Sequence, residues 1–410
     1  MACILRYGSS SSVTLEPPPG ALVAECGRPQ GSAIREVGQA VRRALDEPLE
    51  YPPLAKGMTP GDRVVVALEP GLPQAAEIVG AIVACIIEAG VDPDGITILQ
   101  TQTDARSGGP DPRAALPQPW RKRVGLATHD PADRRQLAYL AALDSGEPIL
   151  LNRALTEADV VLPVGLIGKP GALGYHGIHG AVYPTFSSQD AQAKFFSAGV
   201  YHSDVAYRRH LVRQCNEVGW LLGIQFTIQV VPGGGDAVLE VLAGQCDAVR
   251  RAGSKRYRFA WGCTAPGRAS LVVAGIEGNA GQQTWPRVGE ALWVAARLAE
   301  AGGAVALCCD LQSPPGPILQ RLAARRSPRA ALRALARQPS EEALVAVQVC
   351  RALHRGHVYL LSRLDPAVVE ALEMAPLDDA EQLARLVRRH ASCIVLANAP
   401  HALVFRENRA

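Results

Sequence analysis

Lysine is scarce in this sequence. The 42 basic residues include five lysines, which are Lys56, Lys122, Lys169, Lys194 and Lys255. A covalent cofactor tether or a Schiff base needs a nucleophilic amine at one defined place in the site. Only Lys169 and Lys194 lie in or near the glycine-rich region where a site is expected. Lysine-dependent chemistry is therefore restricted to these two positions.

Neither the charge nor the aromatic content indicates a nucleic-acid partner. The formal net charge is +3, and aromatic residues make up 5% of the chain. Within the basic run from Arg321 to Arg337, the side chains of Arg329, Arg333 and Arg337 share one face of a predicted helix, with alanine and leucine opposite. That pattern is typical of an amphipathic surface helix. Nucleic-acid binding would need further basic stripes and interleaved aromatic residues, so we expect no such partner.

Long apolar runs are absent. The longest apolar helix that the sequence predicts, Ala75 to Ala89, contains Glu77 and Glu88 and is too short to span a bilayer. The N-terminus has no basic segment followed by an apolar run, and the serines from Ser9 to Ser12 interrupt any candidate signal. We therefore expect a cytoplasmic protein without a membrane partner.

The ten cysteines have no spacing typical of a disulfide framework or of a metal site. The one adjacent pair, Cys308 and Cys309, lies in an apolar strand, where neighbouring side chains point to opposite faces and cannot easily bind one ligand. Buried, reduced thiols are the prediction for all of them.

The apolar segments predict a doubly wound α/β protein. Short Val-, Leu- and Ile-rich strands alternate with helical patterns, which is typical of parallel sheets covered by helices. The segment Ile224 to Val231 alternates apolar and polar residues and then turns into Ala237 to Leu242, which predicts a hairpin with one solvent-exposed face. With 410 residues the chain is long enough for two domains, expected at residues 1–260 and 265–410. The predicted strands are Arg63–Glu69, Ile96–Thr101, Val160–Ile167, Leu271–Ile276, Ala304–Leu311, Val358–Leu364 and Cys393–Ala397.

A glycine-rich loop follows one of these strands. The segment from Asp159 to Ile167 has no charge after its first residue, which suits a strand buried on both faces of a parallel sheet. The loop that follows leaves the carboxyl end of the strand, the usual place for a ligand in an open α/β sheet. Glycines at every third position let its backbone approach a ligand closely, namely Gly171, Gly174, Gly177 and Gly180.

This loop and several other segments resemble the nickel-pincer-dependent lactate racemase family. The resemblance implies a fold of two doubly wound βα domains with an interdomain cleft. It also implies a nickel-pincer nucleotide as cofactor and an isomerase that racemises 2-hydroxyacids. The remaining segments that carry it are Lys56–Val66, Ala89–Leu99, His129 with Asp130, Gly146–Arg153, Gly223–Gly253 and Leu271–Gly303.

Most of the family's functional residues are replaced by other residues in this sequence. The lysine that holds the cofactor falls on Gly180, and the loop histidine falls on Pro170. An Asp-x-Thr-Arg-Pro motif is replaced by the segment from Pro70 to Gln74, and of a Gly-Thr-His-Arg motif only Arg106 is left. Because glycine and proline offer no acid, base or nucleophile, the sequence does not support the pincer cofactor or its reaction.

Three interpretations follow, from different classes of protein. The first is a divergent member without the family's reaction, serving as a binding or assembly subunit that self-associates or partners an intact racemase paralogue. The second is a repurposed enzyme with new chemistry, and the third is a retained 2-hydroxyacid racemase or epimerase. Under the second, the catalytic candidates are Arg106, Lys169 and His176, and the two cations suit a small carboxylate or phosphate ligand.

The glycine-rich loop and nearby histidines supply the remaining candidate residues. The cofactor-binding candidates are Gly174, Tyr175, Gly177 and Gly180, and the metal-binding candidates are His176, His179 and His202. A second candidate surface is the polar loop from Glu277 to Gln283, with Asp310 at the next strand end. The alternative for that loop is a purely structural role before the following helix.

Overall fold

The computed structural model describes residues 2–106, 110–143, 145–168, 177–201, 205–323 and 337–407. The chain divides into two compact units. The central unit consists of Gly31–Phe195 and Asp204–Tyr257, and the terminal unit consists of Met1–Gln30, Phe196–Ser203 and Arg258–Ala410. The predicted domain of residues 1–260 includes the first 30 residues, whereas the structure assigns them to the terminal unit. The reason is that their strand β3 (Leu22–Cys26) pairs with a C-terminal strand.

The strands and helices alternate along much of the chain. The strands are β1 (Cys3–Tyr7), β2 (Ser11–Leu15), β3 (Leu22–Cys26), β4 (Val64–Leu68), β5 (Ile96–Thr101), β6 (Gly125–His129), β7 (Leu137–Ala142), β8 (Pro148–Asn152), β9 (Val160–Leu166), β10 (Phe226–Pro232), β11 (Val238–Gln245), β12 (Gly262–Ala265), β13 (Ala269–Gly275), β14 (Ala299–Cys308), β15 (His357–Leu361), β16 (Ala375–Leu377), β17 (Cys393–Leu396) and β18 (Leu403–Arg406). The α-helices are Val37–Asp46, Ala75–Glu88, Gln102–Arg106, Gln118–Arg123, Arg153–Thr156, Gln189–Tyr201, Val205–Leu221, Cys246–Trp261, Trp285–Leu298, Pro317–Ala323, Glu341–Arg355, Pro366–Ala371 and Ala380–Arg389. Short 3-10 helices are Leu54–Gly57, Pro93–Gly95, Arg134–Gln136, Ile178–Ala181 and Ala280–Gln282.

The central unit contains a six-stranded sheet with the order β11-β10-β9-β4-β5-β6. The pairs from β10 to β6 are parallel, and β11 returns antiparallel to β10. Strand β4 has the sequence VVVAL and is buried at every position, as a strand covered on both faces must be. The predicted strands Arg63–Glu69, Ile96–Thr101 and Val160–Ile167 are confirmed, with ends that differ by one residue at most.

Helices cover one face of this sheet with an apolar core. The helix Ala75–Glu88, predicted from its apolar run, buries Ile78, Ile82 and Ile86 against the sheet. The helix Val37–Asp46 buries Val37, Val41 and Leu45 in the same cluster. These residues recur at three- and four-residue spacing, which brings them to one helical face.

The hairpin prediction needs a correction. Strands β10 and β11 form the expected antiparallel pair, but β10 is buried at all of its positions. Thr227 and Gln229, the polar residues of the alternating pattern, are 1% and 0% exposed. The predicted solvent-exposed face is therefore wrong, because β10 is an inner strand of the sheet and its polar side chains point into covered protein.

The terminal unit contains a second six-stranded sheet, with the order β16-β15-β14-β13-β17-β3 and all pairs parallel. The helices Trp285–Leu298 and Glu341–Arg355 supply buried side chains to a core on one face. The β1–β2 hairpin and the helix Ala380–Arg389 supply side chains to a core on the other face. Two doubly wound α/β sheets are thus confirmed.

The cysteine prediction is confirmed for most residues and wrong for two. Eight cysteines are free and buried. Cys26 and Cys263 form a disulfide with their Cα atoms 5.8 Å apart. They are separated by 237 residues in the sequence, so no local spacing could reveal the pair.

No helix in the described ranges is long and apolar enough to cross a membrane. Arg329 and Arg333, from the predicted basic helix face, lie outside the described residues.

Candidate functional site

The central sheet reverses its strand order between β4 and β9. From β4 the chain continues to β5 and β6 on one side, whereas β9 and β10 lie on the other side. Ligands in open α/β sheets bind outside the carboxyl ends of the strands at such a reversal. The candidate site of this unit is therefore the carboxyl edge of β4 and β9, from which the glycine-rich loop departs.

Several predicted residues of that loop lie outside the described residues. They are Lys169, Gly174, Tyr175, His176 and, further along the chain, His202. Their assignments as catalytic, cofactor-binding or metal-binding residues stay predictions.

A partly buried polar cluster joins β4 and β9 at the reversal. Glu69 follows β4 directly, and its Oε2 accepts a hydrogen bond of 2.6 Å from the backbone N–H of Leu166. Gly165 provides the space for this carboxylate, because a Cβ at that position would overlap Glu69 Oε2 and lie 3.0 Å from Gln229 Nε2. Glycine is thus required where three strands bring polar side chains together.

The same cluster extends onto β10. Gln229 Nε2 donates to Thr227 Oγ1 over 2.9 Å, and the Thr227 hydroxyl donates to the backbone oxygen of Pro163 over 3.2 Å. Gln229 Oε1 is buried and has no hydrogen-bond partner among the described residues. The sequence reasoning missed this cluster, although the alternation of Thr227 and Gln229 was the available signal.

Two aspartates hold the loop that follows β4. The backbone N–H of Gly71 donates to Asp104 Oδ1 over 3.1 Å, and Thr101 Oγ1 donates to Asp104 Oδ2 over 3.0 Å. The backbone N–H of Gln74 donates to Asp236 Oδ1 over 3.2 Å. Burial raises the pKa of both the Asp104 and the Asp236 carboxyl groups.

This loop occupies the place of the Asp-x-Thr-Arg-Pro motif in the resemblance. Here its backbone donors are engaged by acidic side chains from neighbouring segments. Arg106 ends the helix Gln102–Arg106, one turn after Thr101, and its side chain is outside the described part of the structure. Asp104 and Asp236 are thus the acidic side chains that accept from this loop.

Gly180, the last glycine of the glycine-rich loop, lies in a tight turn. The turn is the 3-10 helix Ile178–Ala181, in which the Gly180 N–H donates to the Gly177 carbonyl over 3.0 Å. The Gly180 carbonyl accepts a 2.7 Å hydrogen bond from Thr185 Oγ1. Gly180 is buried, and Gly177 has a φ of +85°, a conformation that favours glycine.

His179 is packed inside the central unit. Its side chain is buried against Gly219 in the helix Val205–Leu221, and a Cβ on Gly219 would lie 2.7 Å from His179 Cγ. Its Nδ1 has no hydrogen-bond partner among the described residues. Burial lowers the pKa of His179, with the charge of Asp247 acting in the opposite direction.

His129 belongs to a fully hydrogen-bonded structural network. Its Nε2 lies 2.9 Å from the Ser187 carbonyl, and its Nδ1 lies 3.1 Å from Asn152 Nδ2. Because a carbonyl can only accept, Nε2 must carry the proton, and a neutral ring then accepts from Asn152 at Nδ1. Burial lowers the pKa of His129, which agrees with the neutral form.

The terminal sheet has its own reversal, between β13 and β17. Glu277 follows β13, and its Oε1 accepts a 3.1 Å hydrogen bond from Asn398 Nδ2 after β17. Burial raises the pKa of Glu277. Asp310 follows β14 and forms an ion pair of 3.1 Å with Arg363.

The polar loop Glu277–Gln283 is largely occupied by its own hydrogen bonds. Gln283 Nε2 donates to the carbonyls of Ile276 and Gly278, and Gln283 Oε1 accepts from the Asp310 N–H. Asn279 Oδ1 accepts from the Gly281 N–H. These contacts support the structural alternative for Gln283 and Asn279, and they leave Glu277 and Asp310 as the acidic groups of this edge.

A metal centre is not formed by the described side chains. Within the described ranges, no three histidine, cysteine, aspartate or glutamate residues cluster closely enough to hold an ion. The predicted set includes His176 and His202, which lie outside those ranges, so it stays a prediction.

The fold and the two strand-order reversals define the class of protein as a two-unit, doubly wound α/β protein. Residues 7–206 match the family model of the lactate racemase N-terminal domain. No curated protein sequence matches the chain. The chain is thus similar to the lactate racemase family over residues 7–206.

Two solved structures are similar to the chain over most of its length. The lactate racemase apoprotein from Thermoanaerobacterium thermosaccharolyticum has a TM-score of 0.79 and 15% sequence identity, and the match covers 99% of this chain and 100% of that chain. A protein from Thermotoga maritima has a TM-score of 0.66 and 13% identity, with 90% of this chain and 98% of that chain covered. At these identities the similarity concerns the fold.

Proposed function

We propose that this lactate-racemase-like protein does not carry out pincer-dependent racemisation of 2-hydroxyacids and instead acts as a binding subunit. The observation that carries the proposal is the environment of Gly180. The resemblance places the cofactor-holding lysine on this residue, which here is a buried glycine in a hydrogen-bonded 3-10 turn. A glycine has no amine with which to form a covalent tether.

The residues around the turn do not fit the pincer cofactor. His179 packs against Gly219 inside the central unit, and the loop after β4 has two prolines and a glycine where the family has an acid and an arginine. Hydrogen transfer at a substrate carbon needs groups that give and take it on both faces.

The ligand that we propose is a small carboxylate or phosphate. Arg106 and Lys169 follow the carboxyl ends of β5 and β9, and they are the cations that the sequence places near this edge. Guanidinium and ammonium groups form charge-assisted hydrogen bonds with such anions. We propose neither a nucleic-acid nor a membrane partner. The proposed location is the cytoplasm.

Ligand titration tests this binding role. Isothermal titration calorimetry with lactate, malate and inorganic phosphate should detect binding of at least one, and Arg106→Ala or Lys169→Ala should weaken it about tenfold or more. The matched control is Arg135→Ala, because Arg135 is an exposed arginine that pairs only locally with Asp133. Equal affinity in all three variants would contradict the proposed site.

An activity assay tests the loss of racemisation. The protein is co-expressed with the enzymes that make the nickel-pincer nucleotide and incubated with D- or L-lactate, beside an intact racemase as positive control. The proposal expects no interconversion above a blank. Interconversion that tracks the purified protein would overturn it.

The alternative is a retained 2-hydroxyacid racemase. It is favoured by the match of residues 7–206 to the lactate racemase N-terminal domain. Under this alternative the amine would have to come from Lys169 or Lys194, so Lys169→Ala and Lys194→Ala would each be compared for lost turnover. The proposed assembly role would appear as self-association, or as co-purification with an intact paralogue.

A further inference from the structure

The disulfide Cys26–Cys263 lies near the first and the last of the places where the chain passes from one unit to the other. Cys26 ends β3, the edge strand of the terminal sheet, and Cys263 lies in β12. The two cysteines are 237 positions apart in the sequence, and the chain between them includes the whole central unit. Next to the disulfide, the Gln30 N–H donates to the Ala260 carbonyl over 2.8 Å. The outgoing and returning segments are therefore fastened to each other within the terminal unit.

The N-terminal segment, defined as residues 2–30, also covers part of the carboxyl edge of the terminal sheet. The Gly8 N–H donates to the Ile276 carbonyl, and the Gly278 N–H donates to the Gly8 carbonyl. The Ser9 N–H lies 3.4 Å from Asp310 Oδ2. A side chain on Gly8 would overlap the Asp310 carboxylate, so the turn sits directly on this acidic group. The segment is thus held at one end by backbone contacts and at the other by the disulfide.

We propose that Cys26–Cys263 is a reversible clasp that a dithiol reductant opens, loosening the N-terminal segment from the terminal unit. Cys263 is partly exposed, whereas Cys26 is 2% exposed, so the attacking thiolate reaches the sulfur of Cys263. The first attack forms a mixed disulfide at Cys263 and releases Cys26 as a thiolate, which takes up a proton. The second thiol of the reductant then displaces Cys263 and is itself oxidised to a disulfide.

The Cys26–Cys263 disulfide stands alone among the cysteines of this chain. The eight other cysteines are buried and free, so the chain has no wider disulfide framework. A cross-link stabilises chiefly by restricting the unfolded chain, more so for long loops. Opening it leaves the edge strand β3 held by its pairing with β17 and by the Gly8 contacts.

Alkylation and hydrogen exchange test the clasp. Denatured, non-reduced protein should take up eight iodoacetamide adducts, and ten after dithiothreitol. Treating the native protein with dithiothreitol should speed amide exchange of residues 2–30 by about threefold or more, whereas exchange in β4 stays unchanged. The Cys263→Ser variant should exchange like the reduced protein with or without dithiothreitol. Ten adducts without reductant, or equal exchange in both states, would overturn the proposal.

Discussion

The ring of His179 fills the space above Gly219, so that a methyl group on Gly219 would overlap Nδ1 of the imidazole. This pair fixes the 3-10 turn Ile178–Ala181 to the helix Val205–Leu221, at the end of the glycine-rich loop. It also leaves Nδ1 buried without a partner among the described residues. His179 thus packs within the central unit, and its role as a metal ligand stays a prediction.

Gly219→Ala should destabilise the protein by about 1–3 kcal/mol, because overpacking of a buried site costs that much. The variant His179→Ala/Gly219→Ala should recover part of the loss, since the ring that the new methyl group meets is gone. Urea denaturation measures both. The control is Gly38→Ala, another helical glycine, whose Cβ would have its nearest neighbour at 3.9 Å. A Gly219→Ala variant as stable as Gly38→Ala would contradict the packing.

The free energy of unfolding should fall as the pH drops below about 6.5. Burial lowers the pKa of His129 and His179 in the folded protein, whereas the unfolded chain takes up protons near the ordinary value of 6.5. The stabilisation is therefore complete above pH 6.5 and is lost below it, by up to about 1.4 kcal/mol per pH unit for each histidine.

Urea denaturation at pH 7.5 and 5.5 measures this dependence. His179→Leu should reduce the difference between the two pH values. At pH 7.5 the variant should be at least as stable as the parent, because it removes a buried nitrogen without a described partner. An unchanged pH dependence in the variant would show that His179 does not contribute.

Gly165→Ala should disrupt the polar cluster at the β4–β9 reversal. The new methyl group would displace the Glu69 carboxylate and with it the hydrogen bond to the Leu166 N–H, so we expect a loss of about 1–3 kcal/mol. Thermal unfolding measures the loss. In the Glu69→Ala background, Gly165→Ala should cost less stability than it does in the parent protein. Strict additivity of the two changes would argue against the contact.

Asp104→Asn should be more stable than Asp104→Ala. Asparagine keeps a side-chain oxygen that can accept the hydrogen bond from the Gly71 N–H. Alanine removes this acceptor, which should lower the free energy of unfolding by about 1–3 kcal/mol. Because the pKa of Asp104 is raised, the folded protein holds a proton there more readily than the unfolded chain. Stability therefore falls as the pH rises from 3.8 through that raised pKa. Asp104→Asn should flatten this fall in a pH series.

The sequence predicted the sheets because their strands are continuous apolar runs. Segments such as Val160–Leu166 and Cys393–Leu396 have no polar interruption; the second is buried throughout, and the first is buried from Leu162 to Gly165. The N-terminal strands were not predicted, since Cys3–Tyr7 and Ser11–Leu15 are short and mix polar with apolar residues. Nothing local indicates that β3 pairs with β17, some 370 residues later, to complete the terminal sheet.

The candidate site was predictable in position but not in detail. The apolar strand before the glycine-rich loop identified the carboxyl edge of β9, and the topology places this edge at the strand reversal. The cluster of Glu69, Gly165 and Gln229 joins residues from three separate segments, so only the paired strands bring them together. The disulfide was missed for the same reason, since its two cysteines meet only in the folded terminal unit.

The most direct test of the central claim is the intact mass and nickel content of the protein after co-expression with the pincer biosynthetic enzymes. The proposed loss of the tether at Gly180 predicts an unmodified mass and no stoichiometric nickel, with an intact racemase loaded in parallel as the positive control. An added cofactor mass with one nickel per chain would contradict it. Peptide mapping would then show whether Lys169 or Lys194 carries the group.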